Sequence, residues 1–391
     1  MKTLIELYDE RPIENVLGSE VFRPERTVFL CPAEVAQDKR LQKKLRDYFV
    51  HRGLNTEVEF RQSSPFSSEK LLRQLRSVTE SCGECVIDIT GGTDAALFAC
   101  GQFCAETDIP AFTYSRRRGC FYSIHRAEFA DRLPCTVQHK VEDCFMMAGG
   151  AMRPGRVDNA LLARYAGDFS PFFRFYLRHR SEWTQMIQYI QQSSRTEKGE
   201  PISLSVEAAY TVRAERGTRV NAPEGCLTEL EAMGFLKDVY ISREVVRYTF
   251  RDRQIRAWLR DIGSVLELYV YQTCLDTGLF NDVRTSAVVD WEGDLKQENV
   301  TNEIDVMGMR GILPVFISCK TCEVSTEALN ELAILRDRFG GHGAKAAIVT
   351  SRYCRSITRR RASELGIDVI DLNDLKAERI AERIRELLER D

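Results

Sequence analysis

The chain has 391 residues, a net charge of −3, 29% charged residues and 43% hydrophobic residues. These proportions suit a soluble globular chain of two or three domains, and they exclude a globally basic nucleic-acid binder, so any such affinity must come from local patches. No apolar run approaches the roughly 18 residues that span a bilayer, and the N-terminus MKTLIELYDERP turns acidic too early for a signal peptide, so a cytoplasmic protein with no membrane partner is expected.

The first 130 or so residues alternate strand and helix. KTLIELYDE and RTVFLCP read as strands, EVAQDKRLQKKLRDYFVHRG as a helix, LNTEVEF as a strand and SSEKLLRQLRSVTES as a Ser-capped helix. ECVIDIT reads as an apolar strand running into the helical GGTDAALFACGQFCAETD, and PAFTYSRRR as a fifth strand. Alternating βα units imply a parallel, doubly wound sheet. Residues 148–250 read as a helical linker built on ALLARYAGDFSPFFRFYLRHRSEWTQMIQYIQQ, interrupted by TEKGEP. TELEAMGFLKDVYISREVVRYTF then reads as a winged-helix-like helix with two strands, or as a helical domain ending in a hairpin. Residues 251–391 read as the helix RQIRAWLRDIGSVLELYVYQTCLDTG, strands around RTSAVVDW, NEIDVMGM and LPVFISCK, and the helix STEALNELAILRDRFGG. The strands AKAAIVTS and IDVIDL and a charged terminal helix follow. The expected division is 1–147, 148–250 and 251–391.

The 13 cysteines are an odd number scattered along a long chain, which fits a reducing compartment better than a disulfide framework. The pairs Cys82/Cys85 and Cys319/Cys322 lie beside or inside strands rather than on zinc knuckles. They read as small buried hydrophobes, with a shared zinc as the alternative.

The C-terminal hairpin carries the chemistry. Glu303 and Asp305 lie two apart on one strand and share a face, as do Ser318 and Lys320 on the next. Ile304, Val306, Val315, Ile317 and Cys319 alternate with them and suit a core. Acids facing a lysine can hold a divalent metal against a phosphodiester. Glu267 sits upstream in the otherwise apolar run Val265, Leu266, Leu268, Val270, where an unpaired charge is costly.

Glu267 in GSVLELYVY, Asp305 in NEIDV and Lys320 in ISCK, in helix-then-three-strand order, resemble the PD-(D/E)xK nuclease pattern. The resemblance implies Glu267 and Asp305 as ligands of Mn²⁺ or Mg²⁺, with the Cys319 backbone carbonyl completing the shell. Lys320 would orient the attacking water or stabilise the phosphorane charge. The motif's second acid falls on Ser318, a weak ligand for a hard cation. A carboxylate from elsewhere (Glu303, Glu323 or Glu327), weaker metal binding, or lost catalysis follows.

At the other end, Thr90, Gly91, Gly92 and Thr93 form a turn between an apolar strand and a helix, where backbone N–H groups favour an anion. Strand order should bring Asp9, Arg11 and Asn15 from the first strand, and Tyr114, Ser115 and Arg116 from the fifth, beside it. Arginines and an aromatic there suit a nucleotide; a solvated turn is the plainer reading. The arrangement resembles the Rossmann-like CARF domain, a sensor of cyclic oligoadenylates in type III CRISPR defence. A CARF domain ahead of a PD-(D/E)xK domain is similar to the CRISPR ancillary nucleases activated by cyclic tetra-adenylate. That family implies a CARF-paired homodimer and cleavage of single-stranded DNA or RNA. Two other readings are a ligand-responsive regulator that binds nucleic acid through 226–250 with a degenerate nuclease domain, and a sensor pocket that itself cuts the cyclic ligand.

Overall fold

The computed structural model describes residues 1–391 except 65–66, 156, 197–200, 215–216, 294–298, 342 and 391. Most of TEKGEP therefore lies outside the described residues.

The N-terminal sheet contains β1 (Thr3–Leu7), β2 (Arg26–Cys31), β3 (Glu57–Gln62), β4 (Cys85–Asp88), β5 (Ala111–Ser115) and β6 (Cys120–His125), in the order β3-β2-β1-β4-β5-β6. The first five strands are parallel, as the alternating pattern requires. β6 was not anticipated and runs antiparallel to β5. The tight turn through Gly119, at φ +64°, joins them without a helix. β1 is buried at every position because helices cover both faces. The expected helix after β2 is two, Ala33–Gln37 and Lys39–His51. They break at Asp38, whose carboxylate caps the second by accepting from the amides of Arg40 and Leu41.

The C-terminal sheet contains β13 (Asp282–Asp290), β14 (Thr301–Arg310), β15 (Leu313–Lys320), β16 (Lys345–Thr350) and β17 (Ile367–Ile370), with β7 (Ala151–Arg153) at its edge, in the order β17-β16-β15-β14-β13-β7. β7 pairs with β13, and Val141, Cys144 and Phe145 pack in the same core as Met307 and Phe316. Met146 and Met147 pack with the N-terminal core, but Val141, Cys144, Phe145 and β7, on both sides of the expected boundary at 147, pack with the C-terminal sheet. Their apolar side chains have that sheet's face to cover.

Between the sheets the chain forms the helices Ala166–Arg178 and Trp183–Ser193, a hairpin of β9 (Thr211–Arg213) and β10 (Arg219–Asn221), and the helix Glu224–Ala232. A three-stranded sheet joins β8 (Ser205–Ala209), β11 (Leu236–Ile241) and β12 (Val245–Phe250), in the order β11-β12-β8. One continuous core runs from Phe172, Trp183 and Leu227 into Leu266, Val306 and Ile317. Phe173 stacks on Tyr269 with ring centroids 3.8 Å apart. No described helix is long and apolar enough to cross a membrane.

Candidate active site

The expected helix before β13 is also two, Arg253–Trp258 and Ser264–Asp276. Asp261 ends the gap by accepting from the amides of Gly263 and Ser264 and from the Ser264 hydroxyl. Glu267 thereby falls in the first turn of the second helix, where the partial positive charge of free N–H groups favours a carboxylate. Val265, Leu266, Leu268 and Val270 anchor that helix on one face of the sheet with Val306, Ile317 and Cys319. The helix Thr326–Leu335 covers the other face, with Leu329, Leu332 and Leu335 against Met307 and Phe316.

The paired register of β14 and β15 runs from Arg310↔Leu313 to Val306↔Ile317. Both strands continue beyond it, to Thr301 and Lys320, so the hairpin opens into a fork. On the far side of β14, Thr285↔Val306 and Ala287↔Ile304 pair with β13 around Ser286, which is left-handed at φ +51°. This local distortion breaks the face alternation. Ile304 and Val306, expected to share a core, sit in different ones.

Asp305 occupies the fork. Its Oδ2 accepts from the Cys319 amide at 2.6 Å and the Ser318 hydroxyl at 3.1 Å, and Lys320 Nζ lies 3.7 Å away. The Thr285 hydroxyl donates to its backbone carbonyl. Among the described residues no hydrogen-bond donor reaches Oδ1. Cys319 thus meets Asp305 through its amide.

Glu303, Asp305, Ser318 and Lys320 line one cavity of about 80 Å³, together with Ala328 and Glu331 of the covering helix. Glu267 is not part of that lining. Its carboxyl is pushed up to about 8, by burial first, then by the charges of Asp305, Asp261 and Glu303, while Lys320 pulls the other way. The carboxylates of Glu303, Asp305 and Glu331 in the lining, with one lysine, leave a negative site, and its oxygen donors fit a hard divalent cation. Of the three expected substitute acids, only Glu303 lines the cavity. Glu323 is exposed and paired with Arg355 at 3.1 Å. Glu327 is exposed and folds back on its own amide and Ser325. Glu331 was missed. Its signal was a charge in the inward stripe Ala328, Glu331, Leu332, Leu335, at helical spacing.

The expected ligand residues of the N-terminal sheet also converge, in a tighter arrangement than anticipated. Asp9 accepts from Arg11 Nε and Nη2, both at 2.7 Å, and from the Gly92 amide at 3.0 Å. The Asn15 side chain brackets the Asp9 backbone. The Thr90 hydroxyl accepts from the Tyr114 amide, and the Thr93 hydroxyl caps the helix Asp94–Glu106. Arg116 pairs with Glu14 at 2.8 Å, one residue past Ser115. The expectation of free amides is corrected at Gly92, because a carboxylate of the protein already takes that N–H. The glycines are also accounted for by packing. A Cβ on Gly91 would stand 2.9 Å from Asp9 Cβ, and one on Gly92, at φ +96°, 2.9 Å from Leu7 Cβ.

All 13 cysteines are free, with Cys85 and Cys319 buried. Neither CxxC pair enters a metal-ligating group among the described residues.

Fold and site together define a two-part α/β protein, a Rossmann-like parallel sheet joined to a nuclease domain. Residues 256–389 match the family model of the Card1-like endonuclease domain. That match falls on the part of the chain whose motifs carried the nuclease resemblance. Among solved structures it is similar to protein VC1899 from Vibrio cholerae, at 18% identity over 98% of this chain and 97% of that one, with a TM-score of 0.75. It is also similar to Can2 from Sulfobacillus thermosulfidooxidans, solved with cyclic tetra-adenylate, at 14% identity over the full length of both and a TM-score of 0.70. No curated protein matches the sequence.

Proposed function

We propose that the protein is a metal-dependent endonuclease of type III CRISPR defence, switched on by a cyclic oligoadenylate and cutting single-stranded DNA or RNA. The observation that carries this reading is the fork, where Asp305 is oriented by Cys319 and Ser318 and faced by Lys320. Glu267 and Asp305 would hold Mn²⁺ or Mg²⁺. A bound divalent cation supplies positive charge against the phosphorane that develops as water attacks phosphorus and the P–O ester bond breaks. The fork fixes Asp305 in one rotamer, so its free oxygen needs no reorganisation. Lys320 holds the attacking water or donates to the non-bridging phosphate oxygens.

The sensor reading rests on the convergence of Asp9, Arg11, Asn15, Tyr114 and Arg116 at the carboxyl ends of β1 and β5, and on the likeness to a protein solved with cyclic tetra-adenylate. A homodimer pairing these sheets would place one ring across both copies. Arg116 also lies against the nuclease half, since a Cβ on Gly343 would stand 3.0 Å from its Cδ. Ligand that displaces Arg116 from Glu14 therefore bears on the loop after the helix Thr326–Leu335. Gating requires that the ligand favour one arrangement over the other. Cleavage of single-stranded DNA and RNA with Mn²⁺, with and without cyclic tetra-adenylate, tests the reading. Lack of cutting by wild type, or undiminished cutting by Lys320→Ala, contradicts it.

The middle segment supports a second, subordinate reading. The helix Glu224–Ala232 followed by β11 and β12 has the order of a winged helix, which would bind nucleic acid if the fork proved inert. Duplex binding without cleavage would favour it.

A further inference from the structure

The chain carries serine at 318, where its motif calls for an acid, and the fold shows what faces that position. Phe316 and Ser318 lie on one face of β15, and Phe316 packs with Leu329, Leu332 and Leu335. A carboxylate at 318 would project toward the helix Thr326–Leu335. The helix meets that space with Ala328, a short side chain, and with Glu331 one turn later. Glu331 Oε1 accepts from Asn302 Nδ2 at 2.8 Å, and Asn302 Oδ1 in turn accepts from Trp291 Nε1 at 2.8 Å. That chain of donors aims the carboxylate at the cavity and leaves its second oxygen for another partner.

We propose that Glu331 supplies the carboxylate that position 318 lacks, as a ligand of the divalent cation at the fork. The inference rests on the nuclease reading and deepens it. Glu303 is the competing candidate, but it stands on β14 beside Asp305, on the opposite arm of the fork from position 318, and no side chain orients it among the described residues. Glu331 instead enters from the helix that position 318 faces. The acid has moved from strand to helix while its place in space is kept, and Ser318 is released to hold Asp305. Ligands from two strands and both covering helices would then enclose the cation, consistent with the six oxygens such ions prefer.

The test is Mn²⁺ binding to the full-length protein, read by electron paramagnetic resonance of the free ion, for wild type, Glu331→Gln, Glu303→Gln and the double variant Ser318→Glu/Glu331→Gln. Glu331→Gln should weaken Mn²⁺ by about tenfold or more, with an unchanged circular dichroism spectrum. Glu303→Gln should weaken it less, and the double variant should regain most of the loss by restoring an acid from the strand. Wild-type affinity in Glu331→Gln, a larger loss in Glu303→Gln, or no recovery in the double variant overturns the assignment while leaving a nuclease that still cuts. Wild type that neither binds Mn²⁺ nor cuts overturns the nuclease reading together with it.

Discussion

Ser318 donates its hydroxyl to Asp305 Oδ2 across 3.1 Å, so the residue in the motif's acid position serves the proposed metal ligand as a partner. The Cys319 amide, at 2.6 Å, shares the same oxygen. Removing the serine hydroxyl leaves that second, shorter bond in place. Ser318→Ala should therefore lower the cleavage rate by less than about tenfold, the scale of one neutral hydrogen bond. Asp305→Ala should lower it by a factor of about 100 or more. Initial rates on a labelled single strand with Mn²⁺ separate the two. Equal losses would mean that Ser318 itself is a ligand.

Glu267, the other proposed metal ligand, sits in an apolar setting. Its folded-state value of about 8 lies above that of an unfolded glutamate. The stability it allows is therefore full below about pH 4 and is lost as pH rises through 8. In metal-free protein, Glu267→Gln should raise the melting temperature at pH 9 by a few degrees and change little at pH 5; with Mn²⁺ added, the same variant should lose cleavage. A lower melting temperature at pH 9 would show that the charge is compensated.

Glu6 and Asp88 form a second buried acid pair, paired across β1 and β4 of the N-terminal sheet. Among the described residues Glu6 Oε1 and Asp88 Oδ2 have no hydrogen-bond partner, and both face Gly18. Burial raises both, Asp88 to about 7, and the charge of Asp88 adds to the rise at Glu6. Both shifts are upward, so stability should fall as pH climbs from about 4 through 7. Glu6→Gln removes one acid and offers an N–H to Asp88. It should stabilise the protein at pH 8 by about 1–3 kcal/mol in chemical denaturation. An unchanged pH profile would contradict this.

Asp9 holds the Gly92 amide that a ligand phosphate would use. Asp9→Asn removes a negative charge from the cradle and should tighten cyclic tetra-adenylate several-fold by calorimetry, on the order of 1 kcal/mol. Weaker binding would place Asp9 in direct contact with the ligand.

The parallel sheet was legible because β1, β2 and β4 are apolar runs set between amphipathic helices. β6 was hidden because CFYSIH reads as neither a clean alternation nor a buried run, and its pairing is set by the turn at Gly119. Asp305 and Lys320 could be found from spacing along two strands. Glu331 could not be found that way, because it comes from a helix whose side of the sheet is a tertiary fact. The helix breaks at Asp38 and Asp261 were overlooked because caps inside an otherwise helical stretch look like ordinary polar residues. The Asp9–Gly92 contact joins two strand ends 83 residues apart and left no local signal.

We propose that the fork around Asp305 is a metal-dependent nuclease centre controlled by the N-terminal sheet. The most direct measurement is cleavage of a single-stranded substrate by wild type and Asp305→Ala, with Mn²⁺ or EDTA, with and without cyclic tetra-adenylate. Cutting by wild type only when both Mn²⁺ and the cyclic nucleotide are present, and none by Asp305→Ala, is the predicted result. Cutting that persists in EDTA or in Asp305→Ala, or that ignores the nucleotide, would place the chemistry or its control elsewhere.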